Sequence, residues 1–544
     1  MKPRSIVGCL IAATLGGIIA SSASTPLTAS AITVSPAKLP RIATVDERYQ
    51  SYNVEMAEII GAKFWKPYDM YDKQGKAVPD VGASPAASKT EGAAPQAGQN
   101  PAMFEERPPI DLTNPRLRKL ASALGPAYVR VSGSWANSVF FHDSDTPAPQ
   151  AAPEGFRGVL TRPQWKGVID FAHAVNAALV TSFAISAGVR NASGVWTPDQ
   201  ARRILSYTSS VGGNIVAAEM FNEPSIPVFG GAPAGYDAES YAHDFAVFKP
   251  FAKAAAPDML IVGPGSVGEG GTAPVVPGDM LLKTEDILSA TPQPVFDVYS
   301  YHSYAAASQR CVSLGALSQT TAAAAMSEQW LARPDAIYSF YIGLRNRFEP
   351  TSKGVWVTET ADSACGGNPW AATFLDSFRY LDRLGRLAKK GVTVSFHNTL
   401  ASSEYGLLDQ KTFAPRPNYW AALLWHRLMG STVLDAGASQ PGLHLYAHCM
   451  RDRPGGVTLL AINNSRTQQE SLQLPVAAER YTLAARTPED SRVQVNGREL
   501  ALTADDALPL LQGAHVVAGQ VTFAPASITF LAVADAGNAS CLRH

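Results

Sequence analysis

The sequence lacks a surplus of either charge. Its 544 residues contain 45 Lys and Arg against 46 Asp and Glu, which gives a formal net charge of −1. A nucleic-acid-binding protein needs a basic surplus to displace counterions from the phosphate backbone, so no nucleic-acid partner is expected. Charged residues are scarce at 17%, whereas hydrophobic residues make up 46%. This composition excludes a mainly disordered chain and allows a large buried core.

Long apolar runs are missing beyond the N-terminus. Lys2 and Arg4 precede an apolar stretch over residues 6–20, and an A-x-A cleavage sequence follows at residues 29–31. This order is typical of a signal peptide, here residues 1–31, and predicts a secreted or periplasmic protein. The stretch is short for a membrane span and no second run of about 18 apolar residues follows, so no membrane span is expected.

Cysteine is rare, with five residues in the whole chain. Cys9 lies in the signal segment, and the four others permit three pairings. Cys449 and Cys541 flank a strand-rich C-terminal region, so we expect a disulfide between them, which leaves Cys311 and Cys365 for each other. Two buried free thiols are the alternative.

Several catalytic and cofactor motifs are absent from the sequence. The ten histidines form neither an H-E-x-x-H motif nor the Cys/His spacing of a zinc site, and no G-x-S-x-G sequence occurs. Residues 263–268 match G-x-G-x-x-G, but no helix clearly opens after them, as a dinucleotide site would require. The sequence therefore predicts neither a metal centre nor a cofactor.

Between residues 113 and 430, short apolar runs alternate with helical patterns. The runs are continuous and β-branched, which is typical of buried parallel strands. With an added first strand, the expected strands are residues 51–56, 127–131, 178–185, 215–221, 259–262, 296–301, 355–358 and 392–396. The main helices expected between them are residues 164–176, 198–210, 238–255 and 370–390. Eight such units indicate a (β/α)8 TIM barrel over residues 46–430, with catalytic groups at the carboxyl ends of its strands.

The pattern changes after residue 430. Turn signals there separate strand-like segments at residues 442–449, 457–463, 471–474, 493–495 and 527–533. They predict a C-terminal β-sandwich over residues 431–544, and we expect the strand-like residues 32–45 to complete it as an N-terminal strand. Residues 74–102 are rich in Ala, Pro, Gly and Ser without an apolar period, which predicts a flexible insert in the barrel.

Two carboxylates at predicted strand ends indicate glycosidase chemistry. The sequence Asn222-Glu223-Pro224 follows the fourth predicted strand, and Glu359 ends the seventh. A proton donor to a glycosidic oxygen is a carboxylic acid with a raised pKa, and the preceding Asn can reach the sugar 2-hydroxyl. Retaining enzymes hold two carboxyls about 5–5.5 Å apart, which these two strand ends can provide. We therefore predict Glu223 as the acid/base and Glu359 as the nucleophile.

Longer segments carry a more specific resemblance. They are residues 117–133 (LRKLASALGPAYVRVSG), 297–304 (DVYSYHSY), Glu359-Thr360 followed by Gly366-Gly367, 374–385 (FLDSFRYLDRLG) and 417–420 (PNYW). Over nearly the whole mature chain the sequence resembles glycoside hydrolase family 79, the heparanase and β-glucuronidase family. The resemblance implies a TIM barrel with a β-sandwich built from both chain ends, which agrees with the pattern of strands.

The resemblance also implies roles for substrate-binding residues. Glu55 matches an acidic residue that bonds a sugar hydroxyl in the family, although a structural Glu in the first strand is the alternative. His302 and Tyr304 match a His-x-Tyr pair that positions the substrate and steadies the nucleophile. A lone His or Tyr at a strand end more often packs, so these two roles depend on the resemblance.

A uronate site is implied in the same way. Tyr405 matches a family Tyr that, with backbone N–H groups of Gly366 and Gly367, holds the substrate carboxylate. Backbone amides donate to an anion, and glycine lets the ligand approach closely. The sequence departs from the animal enzyme at Cys365, where an aromatic residue is expected, and at His397, where an amide is expected.

Together these patterns predict a retaining exo-β-glucuronidase that needs no cofactor and acts on glucuronic-acid-containing glycans such as glycosaminoglycans. The exo preference rests on the insert near residues 74–102, because it or its flanks leave the first strand on the active-site face and are expected to close one end of the cleft. An endo-β-glucuronidase that cleaves inside heparan sulfate is the alternative enzyme. A non-catalytic carbohydrate-binding protein is the alternative of another class.

Overall fold

The computed structural model describes residues 32–68, 103–271, 281–314 and 320–542. The signal peptide predicted over residues 1–31 and the insert predicted over residues 74–102 both lie outside these ranges. None of the helices in the described part of the chain has the length and apolar character that a membrane crossing requires.

Eight parallel strands close into a barrel in which each strand pairs with the next along the chain and the eighth pairs with the first. We call them the first to eighth barrel strands: Gln50–Glu55, Ala127–Ser132, Ala177–Ser182, Ile215–Glu219, Leu260–Ser266, Val298–Ser303, Val355–Thr360 and Val394–His397. Every one of them overlaps the strand expected from the sequence. The TIM-barrel prediction is confirmed.

Helices surround the barrel. They are Met56–Ile60, Pro115–Ser122, Arg162–Ala174, Asp199–Ser210, Ala238–Ala255, Thr284–Ser289, Glu328–Leu331, Arg333–Phe348, Phe374–Lys389 and Pro417–Leu428. Capping residues in the sequence fix where two of them begin. Thr161 and Gln164 form a reciprocal capping box at the start of the third helix, and the Asn114 side chain caps the start of the second. The helix expected over residues 370–390 is divided, because a 3-10 turn at Pro369–Ala372 precedes the α-helix Phe374–Lys389.

The C-terminal region forms two sheets, as the sequence predicted. The larger has the strand order Arg41–Thr44, Met429–Leu434, Leu443–Met450, Val457–Asn463, Ser527–Val533, Ala478–Ala485, Val493–Val495 and Arg498–Glu499, with Ala514–Val516 also paired to Ala478–Ala485. The smaller has the order Ile32–Thr33, Glu470–Leu474 and Gly519–Phe523. Apolar side chains of both sheets share one core. The N-terminal segment therefore completes the sandwich by adding an edge strand to each sheet.

Two disulfides join the four cysteines in the predicted pairing. Cys449–Cys541 links a strand of the large sheet to the C-terminal end of the described chain. Cys311–Cys365 links the loops that follow the sixth and seventh barrel strands. Disulfides are typical of proteins in an oxidising compartment.

Candidate active site

The predicted catalytic pair lies at the carboxyl ends of the barrel strands. Glu359 is the fifth residue of the seventh strand, and Glu223 stands in the turn that follows the fourth strand, with a left-handed backbone at φ +53°. A left-handed non-glycine residue is uncommon and costs free energy unless its surroundings hold it there. One carboxylate oxygen of each Glu and a ring nitrogen of His302 lie within 4.8 Å of one another. The fold thus brings together residues 136 positions apart in the chain.

Glu223 is a buried carboxyl in contact with a neutral imidazole. Its Oε1 atom lies 3.0 Å from Nδ1 of His302. Burial raises the pKa of Glu223 to about 7, against the opposing charge of Arg130. Burial likewise lowers the pKa of His302 to about 4, so the ring is uncharged above that pH and carries a single N–H. A carboxyl with a pKa near 7 is suited to exchange a proton with a reacting group.

Glu359 is surrounded by hydrogen-bond donors. The Tyr304 hydroxyl donates to its Oε1 atom at 2.6 Å, and the side-chain amide of Asn398 donates to the same oxygen at 3.2 Å. Nη1 of Arg130 donates to Oε2 at 3.1 Å. Burial and the charge of Glu223 raise the pKa of Glu359 above its usual range, although Arg130 and the Tyr304 hydrogen bond oppose this rise. These donors hold the carboxylate in one orientation and favour its ionised form.

Arg130 is a central residue that the sequence reasoning did not assign to the site. It projects from the second barrel strand with no exposed surface, and its Nη2 atom donates to Glu219 at 2.7 Å and to the side-chain oxygen of Asn222 at 2.7 Å. Nη2 also lies 3.4 Å from Nε2 of His302. The signal in the sequence was a charged residue inside an apolar strand, since a buried guanidinium needs acidic partners.

Glu55 lies beside the catalytic pair, at the end of the first barrel strand. It caps the helix that follows, because Glu55 and Glu58 form a reciprocal capping box. Gly133 is required here: a Cβ atom at that position would lie 1.6 Å from Oε2 of Glu55. Burial and the charge of Glu359 raise the pKa of Glu55 well above its usual range. The side chain borders the cleft, so it is placed to meet a sugar hydroxyl.

The structure brings the three predicted uronate residues close together, but only Tyr405 lines the cleft. The Tyr405 hydroxyl accepts a hydrogen bond from Asn398 at 3.2 Å and lines the cleft. Gly366 and Gly367 are not among the residues that line the cleft. A Cβ on Gly366 would lie 2.7 Å from the Trp65 ring, and one on Gly367 would lie 3.1 Å from the backbone nitrogen of Tyr405. Cys365, rather than either glycine, faces the cavity.

The amide expected at position 397 comes from the next residue. His397 is buried behind the site and its Nε2 atom lies 2.6 Å from the carbonyl oxygen of Tyr405. Asn398 instead lines the cleft, and its amide nitrogen reaches Glu359, Tyr304 and Tyr405. Neighbouring residues at a strand end point in opposite directions, so the side chain of Asn398 faces the site whereas that of His397 points away from it.

The catalytic pair opens into a cleft of about 970 Å³, including its mouth. Its described lining residues are Glu55, Phe64, Trp65, Gly133, Ser134, Trp135, Asn222, Glu223, Ile226, Phe229, Val267, Gly268, Tyr304, Cys311, Glu359, Ala364, Cys365, Asn398 and Tyr405. His302 is absent from this lining and contacts the two carboxylates from below. The floor is polar and the walls are largely apolar, as is usual for a small-molecule or sugar site.

Glu223, His302 and Glu359 are close enough to share a cation, and they are the one group of this kind among the described residues. Arg130 already donates to Glu359 and lies beside His302. A divalent ion there would lie next to the buried guanidinium of Arg130 and would be repelled by it. The electrostatics of the site therefore disfavour a bound metal ion. The donor set therefore suits acid/base chemistry better than metal binding.

Known proteins resemble the chain in sequence and fold. The family described as Glycosyl hydrolase family 79, N-terminal domain, matches residues 108–385. Heparanase-like protein 1 of Arabidopsis thaliana is 31% identical over 373 residues, which cover 65% of each protein. Heparanase of Mus musculus is 26% identical over 495 residues, which cover 79% of this chain and 88% of the mouse protein. A 4-O-α-L-rhamnosyl-β-D-glucuronidase structure from Fusarium oxysporum 12S aligns with a TM-score of 0.61 at 12% identity, over 92% of this chain and 100% of that one.

The match to the plant relative spans about two thirds of its length, and the Fusarium structure shares the fold alone. The family match includes the second to seventh barrel strands and both carboxylates of the predicted pair. On this sequence evidence, the chain belongs to glycoside hydrolase family 79.

Proposed function

We propose that the protein is a retaining exo-β-glucuronidase that removes β-linked glucuronic acid from glycans. The observation that carries the proposal is that one carboxylate oxygen of Glu223 lies within 4.8 Å of one carboxylate oxygen of Glu359. Retaining glycosidases hold their carboxyls about 5–5.5 Å apart, whereas inverting enzymes leave about 6.5–9.5 Å for a water molecule. The names of two further relatives, baicalin-β-D-glucuronidase of Scutellaria baicalensis and hyaluronoglucuronidase of Hirudo nipponia, support a glucuronide substrate.

The two carboxyls have environments that fit different roles. Glu359 attacks the anomeric carbon while the bond from that carbon to the leaving oxygen breaks, and Glu223 gives its proton to that oxygen. In the second step Glu223 takes a proton from water, which displaces Glu359 and releases the sugar with retained configuration. The donors from Arg130, Tyr304 and Asn398 support the ionised nucleophile, and burial supports the protonated acid.

The substrate's remaining groups have candidate partners on the cleft floor. Asn222 precedes the acid and would contact the sugar 2-hydroxyl, while Glu55 would bond another hydroxyl. Tyr405 would donate to the uronate carboxylate. Gly366 packs against the Trp65 ring and Gly367 against the backbone of Tyr405, so their backbone amides would contribute from the edge of the cleft. The disulfides fit export to an oxidising compartment, as the signal sequence predicts.

Endo-acting cleavage of heparan sulfate is the second candidate, because the mouse relative is named heparanase. Product size separates the two modes. Incubation with a glucuronate-containing polysaccharide should release monosaccharide glucuronate without a fall in polymer size. Fragments of intermediate length would instead establish the endo mode.

Catalysis itself is tested with 4-nitrophenyl β-glucuronide and the variants Glu359→Gln and Glu223→Gln. Glu359→Gln should abolish hydrolysis, since no other group forms the covalent intermediate. Glu223→Gln should spare the first step, transfer of the sugar to Glu359, for substrates whose very acidic leaving groups need no proton. The second step should be slow in this variant, and added azide should rescue it by forming a glycosyl azide of retained configuration. No turnover of glucuronides or of heparan sulfate by the wild type between about pH 4 and pH 8 would leave only the carbohydrate-binding alternative.

A further inference from the structure

A small cavity lies behind the ends of the sixth and seventh barrel strands, on the side of the helix Phe374–Lys389. Ser303 and Thr360, the last residues of the two strands, line it together with Trp330, Arg379 and Arg383. The other residues of the described lining are Ala and Pro, so the two arginines are its charged groups. The free volume admits the centre of about one water-sized particle, which suits a small ion and not an organic ligand.

The two arginines are neighbours on that helix. They are four positions apart, a spacing that places side chains on the same face and makes like charges repel. Asp376 neutralises the first of them, because its carboxylate accepts from Nε of Arg379 at 2.6 Å and from Nη2 at 3.0 Å. Arg383 takes part in none of the ion pairs among the described residues, and its Nη1 atom donates to the uncharged hydroxyl of Ser395 at 2.7 Å. The chain thus places a second cation beside the first and neutralises only one of them.

Burial makes this second cation costly. Arg379 is 4% exposed and Arg383 is 2% exposed. Burial and the charge of Arg379 lower the pKa of Arg383 to about 10, so Arg383 is still charged at neutral pH. Asp362 also acts on Arg379, but burial and the charge of Asp376 raise the pKa of Asp362 to about 7, which reduces its negative charge. A buried charge is strongly unfavourable unless it is paired, and an anion from solution would supply the pair.

Four lining residues carry buried polar atoms that have no hydrogen-bond partner among the described residues. These atoms are Nη1 of Arg379, Nε and Nη2 of Arg383, Nε1 of Trp330 and Oγ1 of Thr360. Guanidinium and indole groups can only donate, and the Thr hydroxyl can donate as well. A water molecule would have to place two protons of its own among these donors, whereas an anion only accepts. The set of donors therefore suits an anion better than water.

We propose that this cavity binds a small monovalent anion, chloride in ordinary salt solutions, between Arg383, Arg379 and the end of the seventh barrel strand. Thr360 directly follows Glu359, and Ser303 directly follows His302. The anion would therefore hold the helix Phe374–Lys389 against the two strand ends that carry the predicted nucleophile and its histidine neighbour. The tests below measure binding and stability, so their outcome does not depend on the proposed β-glucuronidase activity.

The first experiment locates the ion by anomalous scattering. Wild-type protein is purified and crystallised in sodium bromide, and data are collected at the bromine absorption edge. A second data set at long wavelength, from crystals grown in sodium chloride, detects bound chloride. We expect an anomalous peak in contact with the Arg383 guanidinium in both data sets. Density for a water molecule without an anomalous signal in either data set overturns the inference.

The second experiment measures melting temperatures in sodium chloride and in sodium gluconate at the same ionic strength. An ion that binds only the folded protein raises its stability in proportion to the logarithm of the ion concentration above Kd. We expect the wild type to melt roughly 3 °C or more higher in about 100 mM chloride than in gluconate. An equal melting temperature in the two salts overturns the inference.

Two variants connect this difference to the cavity. Arg383→Met removes the unpaired cation at similar side-chain length, so its melting temperature should be the same in both salts. Arg347→Gln is the matched control, because Arg347 is an exposed arginine that pairs with Glu285 at the surface, and it should keep the wild-type difference. A chloride effect that Arg383→Met retains in full would place the ion elsewhere and overturn the inference.

Discussion

Arg130 and Glu359 form an ion pair inside the barrel, with Nη1 of the guanidinium 3.1 Å from Oε2 of the carboxylate. The same guanidinium pairs with Glu219 at 2.7 Å, so one buried cation serves two acidic groups. Such a cation lowers the pKa of a neighbouring carboxyl and opposes the effect of burial. We therefore expect Arg130 to act as a positioning residue for Glu359, the proposed nucleophile, from beneath the cleft floor.

Replacing Arg130 with Gln should lower kcat for glucuronides about tenfold to a hundredfold, which corresponds to loss of a charge-assisted hydrogen bond. The acid limb of kcat/KM should also move to higher pH, because Glu359 loses the charge that favours its ionised form. Arg130→Lys keeps a cation and should recover part of the activity and the original acid limb. A pH–rate profile separates this role from a structural one: a lower melting temperature with an unmoved acid limb would assign Arg130 to stability alone.

The alkaline limb of the same profile should report Glu223. Burial raises its pKa to about 7. In the proposed mechanism the protonated form donates to the leaving oxygen, so activity should be present below that pH and fall as pH rises through it. The profile is measured as kcat/KM on an unactivated glucuronide between about pH 4 and pH 9. With a very acidic leaving group the alkaline limb should weaken. An unchanged alkaline limb in Glu223→Gln would assign the titration to another group.

The barrel was predictable from the sequence because buried parallel strands are continuous apolar runs. The placement of Glu223 and Glu359 on one face of the barrel was predictable for a related reason: each carboxylate ends such a run, and strand ends share one face of the barrel. The first strand, Gln50–Glu55, is polar and was assigned only by counting units. It is buried nonetheless, because the eighth and second strands cover both of its edges.

The site residues that the sequence did not indicate are those whose contacts are with residues far away in the sequence. Arg130 meets Glu219, Asn222 and Glu359 across separations of 89, 92 and 229 residues, and nothing in its local sequence names these partners. Asn398 was missed for the same reason, because its local sequence does not indicate that it contacts Tyr304, Glu359 and Tyr405. Local patterns specify elements and their ends, whereas cross-barrel contacts depend on which side chains point inward.

Tyr405→Phe tests the uronate site. The hydroxyl lines the cleft and accepts a hydrogen bond from Asn398, which leaves its own proton available to a substrate carboxylate. Loss of a hydrogen bond to a charged group should cost roughly tenfold or more in kcat/KM for glucuronides. The weak activity on 4-nitrophenyl β-glucoside should stay nearly constant, since this substrate has no carboxylate. A parallel fall on both substrates would mean that Tyr405 only packs.

A buried histidine joins the barrel to the sandwich. Nδ1 of His444, in the strand Leu443–Met450, lies 2.5 Å from Oδ1 of Asp382 in the helix Phe374–Lys389, and its Nε2 lies 2.9 Å from Glu328. Asp382 also accepts from Tyr446 at 2.6 Å and from Arg386 at 2.6 Å. Burial lowers the pKa of His444, but the hydrogen bonds and charges of the two carboxylates outweigh it and the pKa is raised. Burial raises the pKa of Asp382, but the hydrogen bond and charge of His444 and the charge of Arg386 have a larger, opposite effect. The pKa of Asp382 is therefore lowered.

The sign of the pH effect on stability follows from these directions. A raised histidine pKa contributes stability that is fully present below the unfolded value of about 6.5 and is lost as pH rises through the folded value. The lowered pKa of Asp382 contributes stability that is present above about pH 4 and is lost as the solution becomes more acidic.

We therefore expect His444→Gln to lower the melting temperature clearly at pH 5.5 and much less at pH 8.5, because a fully buried ion pair is broken only where the histidine is charged. His515→Gln is the control: that histidine pairs with Glu479 at 3.2 Å on the surface, where an ion pair stabilises little. Equal destabilisation by His444→Gln at both pH values would show that His444 contributes through packing rather than through its charge.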